Sequence, residues 1–479
     1  MNIVFAASEA APYMKTGGLG DVAQALPLAL SKYSGSRVLL FIPFYGSIKR
    51  DPAFKTELVS EFELKLGWRG QYAGLHRLVS RRRKLEVYFI DNELYFCRDR
   101  AYGYSDDGER FAFFSKAILQ SLVILGEKPD IIHCNDWQTA LIPTFLHAFY
   151  HDKLGTAKTV FTIHNIEYQG WVHPYFLGDV LGLPVSYDST FKFGDQHNFM
   201  KSAILKCDAL TTVSRTYAKE ICYPYYAHGL HDIINDHAFK LTGIVNGIDT
   251  DVNDPATDPN VFHPYDVSNV FEEKPKNKAD LQKELGLPIR PDVPLIGIVS
   301  RLVEHKGMSI LCESLEKIAS MDVQFAVLGT GDSEYESWLK SEAERHPDRF
   351  SVNIRFGKHL ASRIYAGADI YIMPSKSEPC GLSQLLAMHY GTVPVVHETG
   401  GLKDTVAPFF PDTGEGTGFV FRGFTGPDMM DSLRSAVDLY NGDRDSWNKL
   451  VMNCMTKDVS WKLPAGEYME LYRRITNKK

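Results

Sequence analysis

Short apolar runs alternate with amphipathic, helix-like stretches almost throughout this chain of 479 residues. Such alternation is typical of βαβ units, in which helices cover a parallel sheet. The strand-like runs of the first half are 3–7, 38–42, 85–90, 130–133, 159–163 and 209–213, and those of the second half are 295–299, 324–328, 352–356, 370–373 and 394–397. The pattern predicts an α/β fold with doubly wound sheets.

The helices predicted with most periodicity are 110–125, 198–206, 311–319, 335–345, 383–389 and 429–440. Between the first two strands, apolar residues from Val22 to Leu30 also recur at helical spacing. Pro27 removes an internal N–H group from that helix, so we expect a kink or a late helix start there.

The chain is too long for a single core, and its length favours two domains. Between Asp249 and Pro264 the periodicity is lost and three prolines punctuate the sequence, which predicts an interdomain linker. A last amphipathic stretch, 464–475, carries Tyr468, Leu471 and Tyr472 on one face and could close against either domain.

Composition excludes several classes of function. A net charge of −7 at pH 7 gives no reason to expect nucleic acid as a partner, and the short basic run 81–84 is interpreted as a solvated turn. No apolar run is long enough to span a bilayer, and the apolar N-terminus is interpreted as a core strand and not as a signal peptide. The seven cysteines include no C-x-x-C pair, which favours free thiols in a cytoplasmic protein.

The stretch Lys15-Thr-Gly-Gly-Leu-Gly-Asp-Val follows the first strand and opens the first helix. Gly17, Gly18 and Gly20 would let the backbone approach a ligand with its N–H groups pointing outward, and a helix N-terminus favours an anion. Lys15 adds a positive charge. The spacing is neither the dinucleotide fingerprint nor the Walker loop, so an ordinary glycine-rich turn remains the alternative.

Polar and glycine-rich clusters follow nearly every predicted strand, which is where an open parallel sheet binds its ligands. They are Asn135-Asp136-Trp137, His164-Asn165, Ser300-Arg301 with His305-Lys306-Gly307, Gly329–Asp332, Ser375–Leu382 and Glu398–Gly401. Since these clusters occur in both halves, we expect a ligand site in a cleft between two domains.

Each cluster has a functional and a structural interpretation. Arg301 and Lys306 suit a diphosphate, one as a bidentate fork and the other as a point charge, or they form a solvated helix start. His164 could be a satisfied histidine at the sheet edge, and Asp136-Trp137 could be a helix cap followed by a core aromatic. Glu378 lies in a constrained Pro374-to-Gly381 loop and is hard to explain as a solvated residue. No set of residues resembles a metal site or a nucleophilic triad, and the Asp249-x-Asp251 pair favours a turn.

Taken together, the motifs resemble those of the bacterial glycogen synthases and the plant starch synthases. The motifs are Lys15-Thr-Gly-Gly-Leu-Gly-Asp-Val, His133-Cys-Asn-Asp-Trp, Thr162-Ile-His-Asn, Val245-Asn-Gly-Ile-Asp, Ser300-Arg-Leu with Lys306-Gly, Ser377-Glu-Pro-Cys-Gly-Leu and Thr399-Gly-Gly-Leu-Lys-Asp-Thr. The resemblance implies a GT-B architecture, in which two Rossmann-like domains face a deep cleft and the last helix crosses back to the N-terminal domain. The expected domains are 1–250 with the crossover helix 460–479, a linker at 251–262, and a nucleotide-sugar-binding domain at 263–459.

The resemblance also implies site residues. The expected catalytic group comprises Glu378, His164, Arg301, Lys306 and Lys15. The expected donor-binding residues are Lys15, Gly17, Gly18, Asp21, Asn246, Arg301, Lys306, Glu378, Cys380, Gly381, Leu382, Thr399, Gly400 and Gly401, and those expected to line the acceptor side are Tyr95, Asp136, Trp137 and Asn165. The sequence departs from the family pattern at Lys376-Ser377 and at Gln196-His197-Asn198. Neither departure changes a charged residue of the expected site, so they bear on the choice of acceptor more than on activity.

The implied reaction is retaining transfer of glucose from ADP-glucose to the non-reducing end of an α-1,4-glucan, either glycogen or starch. No cofactor or metal is expected, because cationic side chains can stabilise a departing diphosphate. The implied compartment is the cytoplasm, or the plastid stroma after loss of a transit peptide. Another GT-B glycosyltransferase with a different donor or acceptor, or a non-catalytic glucan-binding protein, remains as an alternative. The sequence leaves the oligomeric state open.

Overall fold

A computed structural model describes residues 1–80 and 84–478. The chain forms two compact units, one comprising residues 1–246 together with the stretch from Trp461 onward, and one comprising Gly247–Ser460. The basic run 81–84 lies, except for Lys84, outside the described residues. Within the described part, no helix is both long and apolar enough to cross a membrane.

The first unit is built on a nine-stranded sheet in the order β12-β11-β7-β6-β1-β2-β5-β4-β3 and a small sheet in the order β8-β10-β9. Its strands are β1 (Asn2–Ala6), β2 (Arg37–Pro43), β3 (Thr56–Leu66), β4 (Arg69–Leu78), β5 (Leu85–Asp91), β6 (Ile131–Asn135), β7 (Lys158–Ile163), β8 (Trp171–Val172), β9 (Lys192–Phe193), β10 (Gln196–Asn198), β11 (Ala209–Thr212) and β12 (Leu241–Gly243).

The helices of the first unit are mostly short. They are α1 (Gly18–Ser31), α2 (Gly46–Arg50), α3 (Glu93–Phe96), α4 (Asp107–Ile124), α5 (Ile142–Phe145), α6 (His151–Leu154), α7 (Phe176–Asp179), α8 (Asp188–Phe191), α9 (Phe199–Lys206), α10 (Arg215–Glu220) and α11 (His231–Asp236), with 3-10 turns at Trp137–Thr139, Val185–Tyr187 and Ala238–Lys240 and a π-helical turn at Leu146–Tyr150.

The central strands of this sheet are parallel and buried. Ile3, Val4, Phe5 and Ala6 of β1 are fully inaccessible to solvent, and β1 pairs with β2 on one side and β6 on the other. A continuous apolar run is what a strand covered on both faces requires. The late helix start expected at Pro27 is wrong, because α1 begins at Gly18 and continues through the proline to Ser31.

The second unit contains one parallel six-stranded sheet in the order β15-β14-β13-β16-β17-β18. Its strands are β13 (Leu295–Val299), β14 (Gln324–Gly329), β15 (Phe350–Ile354), β16 (Ile370–Met373), β17 (Val393–His397) and β18 (Phe419–Phe421). Its helices are α12 (Val270–Glu284), α13 (Met308–Cys312), α14 (Leu315–Ala319), α15 (Ser333–Arg345), α16 (Lys358–Gly367), α17 (Ser383–His389), α18 (Gly400–Thr405), α19 (Gly426–Gly442) and α20 (Arg444–Thr456), with a 3-10 turn at Glu304–Lys306.

The stretch 251–262, expected to be a linker, groups with the second unit. Asp258 and Val261 are each only 6% exposed, and the Tyr390 hydroxyl donates to Asp258 Oδ2 at 2.8 Å. Asp249 Oδ1 accepts the N–H groups of Asp251 and Val252, as the predicted turn requires.

The last helix, α21 (Lys462–Thr476), belongs to the first unit. Its predicted face is confirmed as buried, since Tyr468, Leu471 and Tyr472 are at most 4% exposed. The Tyr472 hydroxyl and His133 Nδ1 on β6 share a hydrogen bond of 2.6 Å. This bond ties the C-terminal helix to the central sheet of the first unit.

Candidate active site

The polar clusters of the first unit follow β1, β6 and β7, three neighbouring parallel strands. The chain leaves β1 toward β2 on one side, while β6 and β7 lie on the other, so the strand order reverses beside β1. Ligands of open α/β sheets bind at such a reversal, at the carboxyl ends of the strands. Three features follow strands at this edge: the loop of residues 15–20, here called the Lys15 loop, and the side chains of Asp136 and His164.

The Lys15 loop is held from within by Glu9, which sequence reasoning did not identify as a site residue. Glu9 Oε2 accepts two hydrogen bonds from Thr16, one from its N–H at 2.7 Å and one from its hydroxyl at 2.6 Å. Glu9 Oε1 accepts the N–H of Gly17 at 3.2 Å and the N–H of Gly20 at 3.0 Å. Burial raises the pKa of Glu9, while these hydrogen bonds act to lower it.

These hydrogen bonds show which N–H groups of the predicted phosphate site already have an acceptor within the chain. The N–H groups of Gly17 and Gly20 are already used by an internal carboxylate, which occupies the positive end of α1. Gly18 is the first residue of α1, and its N–H group has no acceptor within the helix by position. The half-exposed Lys15 forms an ion pair of 2.7 Å with Asp21. Lys15 and the Gly18 backbone are therefore the parts of the loop that can meet an anion.

Asp136 organises the residues that follow β7. Its backbone has φ of 55°, an unusual conformation for a residue other than glycine and typical of functional sites. Its Oδ1 accepts the N–H of His164 at 2.7 Å and that of Asn165 at 3.4 Å. Burial raises the pKa of Asp136 to about 7.

His164 is held as a neutral imidazole. Its Nε2 lies 2.9 Å from the side-chain oxygen of Asn135, and burial lowers the pKa of His164 to about 3. A ring that stays uncharged at neutral pH can donate or accept a hydrogen bond at a reacting centre without adding a cation.

Three further predicted site residues of the first unit, Tyr95, Trp137 and Asn246, differ in whether their side chains already have partners within the chain. Tyr95 is 1% exposed and donates its hydroxyl to Glu109 at 2.5 Å. Trp137 packs edge-on against Phe111 with a centroid distance of 5.2 Å, as a core aromatic would. Asn246 is 6% exposed, and within residues 1–80 and 84–478 its Oδ1 has no hydrogen-bond partner. Asn246 is the one of the three with a buried polar atom left for a ligand.

In the second unit the strand order reverses at β13, which lies between β14 and β16. Lys306 follows β13 and Glu378 follows β16, and Lys306 Nζ lies 2.6 Å from Glu378 Oε2. The Ser375 hydroxyl donates to the same oxygen at 3.0 Å. Glu378 is only 5% exposed, so the structure brings together a nearly buried carboxylate and an ammonium at the ligand-binding edge of the sheet.

Glycines allow the loops at this edge to touch. Gly307 has φ of 77°, and a Cβ there would lie 1.9 Å from the Pro374 carbonyl oxygen. The Lys376 N–H donates to the His305 carbonyl at 3.0 Å. The loop that carries Lys306 is therefore fixed against the loop that carries Glu378.

The remaining predicted donor residues surround this pair in sequence. Arg301 is exposed and its Nη2 lies 3.3 Å from His305 Nε2. Cys380 is 5% exposed, Gly381 has φ of 75°, and Leu382 precedes α17. Thr399 and Gly400 form the start of α18, where the N–H of Gly401 donates to the Glu378 carbonyl at 3.0 Å. The Gly401 N–H, predicted as a phosphate donor, is thus used to hold the Glu378 loop.

The two clusters have different chemical capacities. In the second unit, Arg301 and Lys306 supply positive charge, and Glu378 supplies a carboxylate held in place by two donors. In the first unit, Lys15 supplies one positive charge, and His164 supplies a neutral polar group. Glu9 was not predicted as a site residue, and Ser375 was predicted only as the first residue of the 375–382 cluster. The signal for Glu9 was a charged residue two positions after the apolar run 3–7, since charged residues are buried only with partners.

Comparisons with known proteins agree over the full chain. Residues 2–236 match the family model of the starch synthase catalytic domain, and residues 282–447 match that of glycosyl transferases group 1. The glycogen synthase of Clostridium novyi (strain NT) is 47% identical over 483 residues and covers 100% of both chains. The glycogen synthase of Caldicellulosiruptor saccharolyticus is 45% identical, covering 99% of this chain and 100% of its own.

Solved structures give the same result. The catalytic domain of starch synthase IV from Arabidopsis thaliana, bound to ADP and acarbose, superposes with a TM-score of 0.92 at 34% identity and covers 99% of both chains. Sucrose-phosphate synthase from Thermosynechococcus elongatus shares the fold, with a TM-score of 0.61 at 16% identity. The predicted α/β fold with two Rossmann-like domains of the GT-B class is confirmed. The chain belongs to the glycogen and starch synthase family of glucan-elongating glucosyltransferases.

Proposed function

We propose that the chain transfers glucose from ADP-glucose to the 4-hydroxyl at the non-reducing end of an α-1,4-glucan, with retention of configuration. The observation that carries the proposal is the pair of Lys306 and Glu378, 2.6 Å apart at the carboxyl ends of β13 and β16. The related starch synthase IV domain binds ADP and acarbose, which supports a nucleotide-sugar donor and a glucan acceptor here.

The cationic residues stabilise the negative charge of the leaving group. Breaking the glycosidic bond of ADP-glucose leaves negative charge on the distal phosphate, and fixed positive charges are worth most where charge develops. The Lys306 ammonium has three donors, of which one meets Glu378, so two remain for phosphate oxygens. Arg301 adds a planar guanidinium suited to two phosphate oxygens, and Lys15 adds a third positive charge.

The Glu378 carboxylate and the His164 ring interact with the donor glucose. Both donors to Glu378 reach Oε2, so we infer that Oε1 faces the donor glucose and stabilises its positive charge in the transition state. His164, kept neutral by burial, offers a hydrogen bond to a sugar hydroxyl. Asp136 and Asn165 position this histidine and the acceptor side.

We further propose that no metal or cofactor takes part. Divalent ions in phosphoryl and glycosyl transfer neutralise the phosphates of the donor, and Arg301, Lys306 and Lys15 supply that charge from the chain itself.

All seven cysteines are free thiols, which suits a reducing cytoplasm.

Glu378→Gln tests the function. We expect turnover of ADP-glucose with a maltooligosaccharide acceptor to fall by about two to three orders of magnitude, as when a well-placed charge is removed, while ADP still binds. The measurement is ADP release together with chain extension, with UDP-glucose as a second donor and with EDTA added in a parallel reaction.

The matched control is Glu273→Gln, which removes an acid paired with Lys276 at 2.7 Å on α12 in the same unit. It should keep parental turnover. Near-parental turnover of Glu378→Gln would remove Glu378 from the mechanism, loss of activity with EDTA would refute metal independence, and a parent that releases no ADP would refute the proposed function.

A further inference from the structure

Glu9 forms four hydrogen bonds through its two carboxyl oxygens. It is 2% exposed, and its two oxygens accept four hydrogen bonds, two from Thr16 and one each from Gly17 and Gly20. All four partners are donors. A carboxylate has acceptor sites for all of them, whereas an amide would turn its own N–H groups toward at least one of these pairs.

The four contacts fix the part of the loop on which Lys15 rests. A Cβ added at Gly20 would lie 3.0 Å from Lys15 Cγ and 3.1 Å from Lys15 Cβ, so the Lys15 stem lies directly on the Gly20 backbone. Because Glu9 holds the Gly20 N–H, the position of this backbone and of the stem above it depends on the carboxylate.

The carboxylate also determines which part of the loop an anionic ligand can approach. Glu9 occupies the N–H groups of Gly17 and Gly20 at the start of α1. A second anion at those groups would meet a like charge at short range, which is unfavourable in a partly desolvated site. Lys15 and the N–H of Gly18 remain on the open side of the loop.

We propose that Glu9 is a positioning residue for glucosyl transfer, which holds Lys15 in the geometry that meets the distal phosphate of the donor. This proposal rests on the role given above to Lys15. Glu9 itself does not touch the substrate. Its contribution is to keep the loop in one conformation through the four donors of Thr16, Gly17 and Gly20.

Glu9→Gln, with Thr16→Val as a milder variant, tests the proposal in the full-length chain. Glu9→Gln should lower kcat for ADP-glucose at least tenfold, because the amide cannot accept all four hydrogen bonds. ADP affinity, measured by calorimetry, should change less than threefold, since Arg301 and Lys306 remain. Thr16→Val removes only the hydroxyl donor and should lower kcat by a smaller factor.

Asp208→Asn is the matched control. Asp208 accepts the N–H and the hydroxyl of Thr159 at 2.8 and 3.1 Å, the same pair of donors that Thr16 offers to Glu9, but it lies before β11, at the amino end of a strand. This variant should keep the parental kcat. A loss equal to that of Glu9→Gln would show that any broken carboxylate contact of this kind lowers activity, and would overturn the specific role of Glu9.

Combination with Lys15→Ala separates positioning from a general loss of structure. If Glu9 acts through Lys15, the double variant should have a kcat within about threefold of Lys15→Ala alone, because residues that act as a unit are not additive. Fully multiplicative losses would overturn the proposal, as would a kcat above half the parental value in both Glu9→Gln and Thr16→Val. Failure of the parent to use ADP-glucose would count against the proposed function instead.

Discussion

Two acidic side chains of the first unit, Glu9 and Asp136, hold loops by accepting backbone N–H groups. Glu9 shapes the loop after β1 and Asp136 the loop after β7. Burial raises the pKa of both groups. The charged form of each side chain therefore destabilises the folded state. In return, the hydrogen bonds of the two carboxyl groups fix the geometry of the two loops.

The raised pKa of Asp136 gives a pH-dependent stability with a defined sign. Between its ordinary value near 4 and about 7, the folded chain keeps a proton that the unfolded chain has released. Stability contributed by this group therefore falls as the pH rises through that window, and the full penalty is present above about pH 7.

Asp136→Asn removes this titration and keeps the side-chain oxygen that accepts two N–H groups. We expect the unfolding temperature of the variant, relative to the parent, to rise between pH 5 and pH 8 by at least about 2–4 °C, the shift that about 1 kcal/mol produces in a domain of this size, because each pH unit of the window contributes about 1 kcal/mol. Calorimetry at several pH values measures it. A constant difference between variant and parent across this range would contradict the assignment.

At the scale of single residues, the charged residues in glycine-rich motifs could be predicted from the sequence. The residues that hold them in position through hydrogen bonds could not. Lys306 and Glu378 belong to short motifs with defined chemistry. Glu9 and Ser375 act through contacts across the loop that only folding brings together. For the same reason the sequence did not reveal that the N–H groups of Gly17, Gly20 and Gly401 are used internally.

Among the elements, the loops after β13 and β16 touch through Gly307, and a pair of glycine variants measures that contact. Gly307 and Gly286 both have positive φ, 77° and 72°, but a Cβ at Gly286 would meet nothing within 4 Å. Alanine at Gly286 should cost only the left-handed strain of about 1–2 kcal/mol.

Alanine at Gly307 adds a collision with the Pro374 carbonyl. We expect at least twice the loss of stability seen for Gly286→Ala and at least tenfold weaker ADP binding, because the Lys306 loop must move away from Glu378. Denaturant unfolding and calorimetric titration with ADP measure the two effects. Equal behaviour of the two variants would show that the contact between these loops is not important for binding.

Central strands were the elements best predicted from sequence, because burial on both faces leaves a continuous apolar run. The antiparallel pair β3 and β4 was missed. It lies at the sheet edge, and much of β3 is solvent-exposed, so no apolar run marks it. The predicted helix 311–319 is instead two short helices, α13 and α14, which meet at Ser314, where the hydroxyl donates to the Ile310 carbonyl.

For the whole molecule, the amphipathic face of the last helix was predictable but its location was not. An apolar stripe can pack on any apolar surface, so the residues alone allowed either domain. The specific contact is polar, between Tyr472 and His133, and it is formed across 339 residues of sequence. Burial lowers the pKa of His133 to about 3, so this contact joins a neutral ring to a hydroxyl.

Tyr472→Phe tests how far this bond stabilises the first unit. Loss of the hydroxyl leaves a buried ring nitrogen without its partner, which we expect to cost about 1–3 kcal/mol. Hydrogen exchange should become faster in β6 and its neighbours and remain unchanged in the second unit. Leu463→Ala, on the same helix at a residue 68% exposed, is the control and should change neither. Equal protection in Tyr472→Phe and the parent would show that the bond contributes little.

The attachment of α21 to the first unit has a consequence for biosynthesis. A ribosome produces β1 to β12 first, yet the helix that covers His133 follows Ser460 in the chain and is therefore made only after the whole second unit. The second unit is continuous in sequence and can fold as soon as it emerges, whereas the first must wait for its final helix. During that interval the surface that later receives Tyr468, Leu471 and Tyr472 is open to chaperones and to other nascent chains.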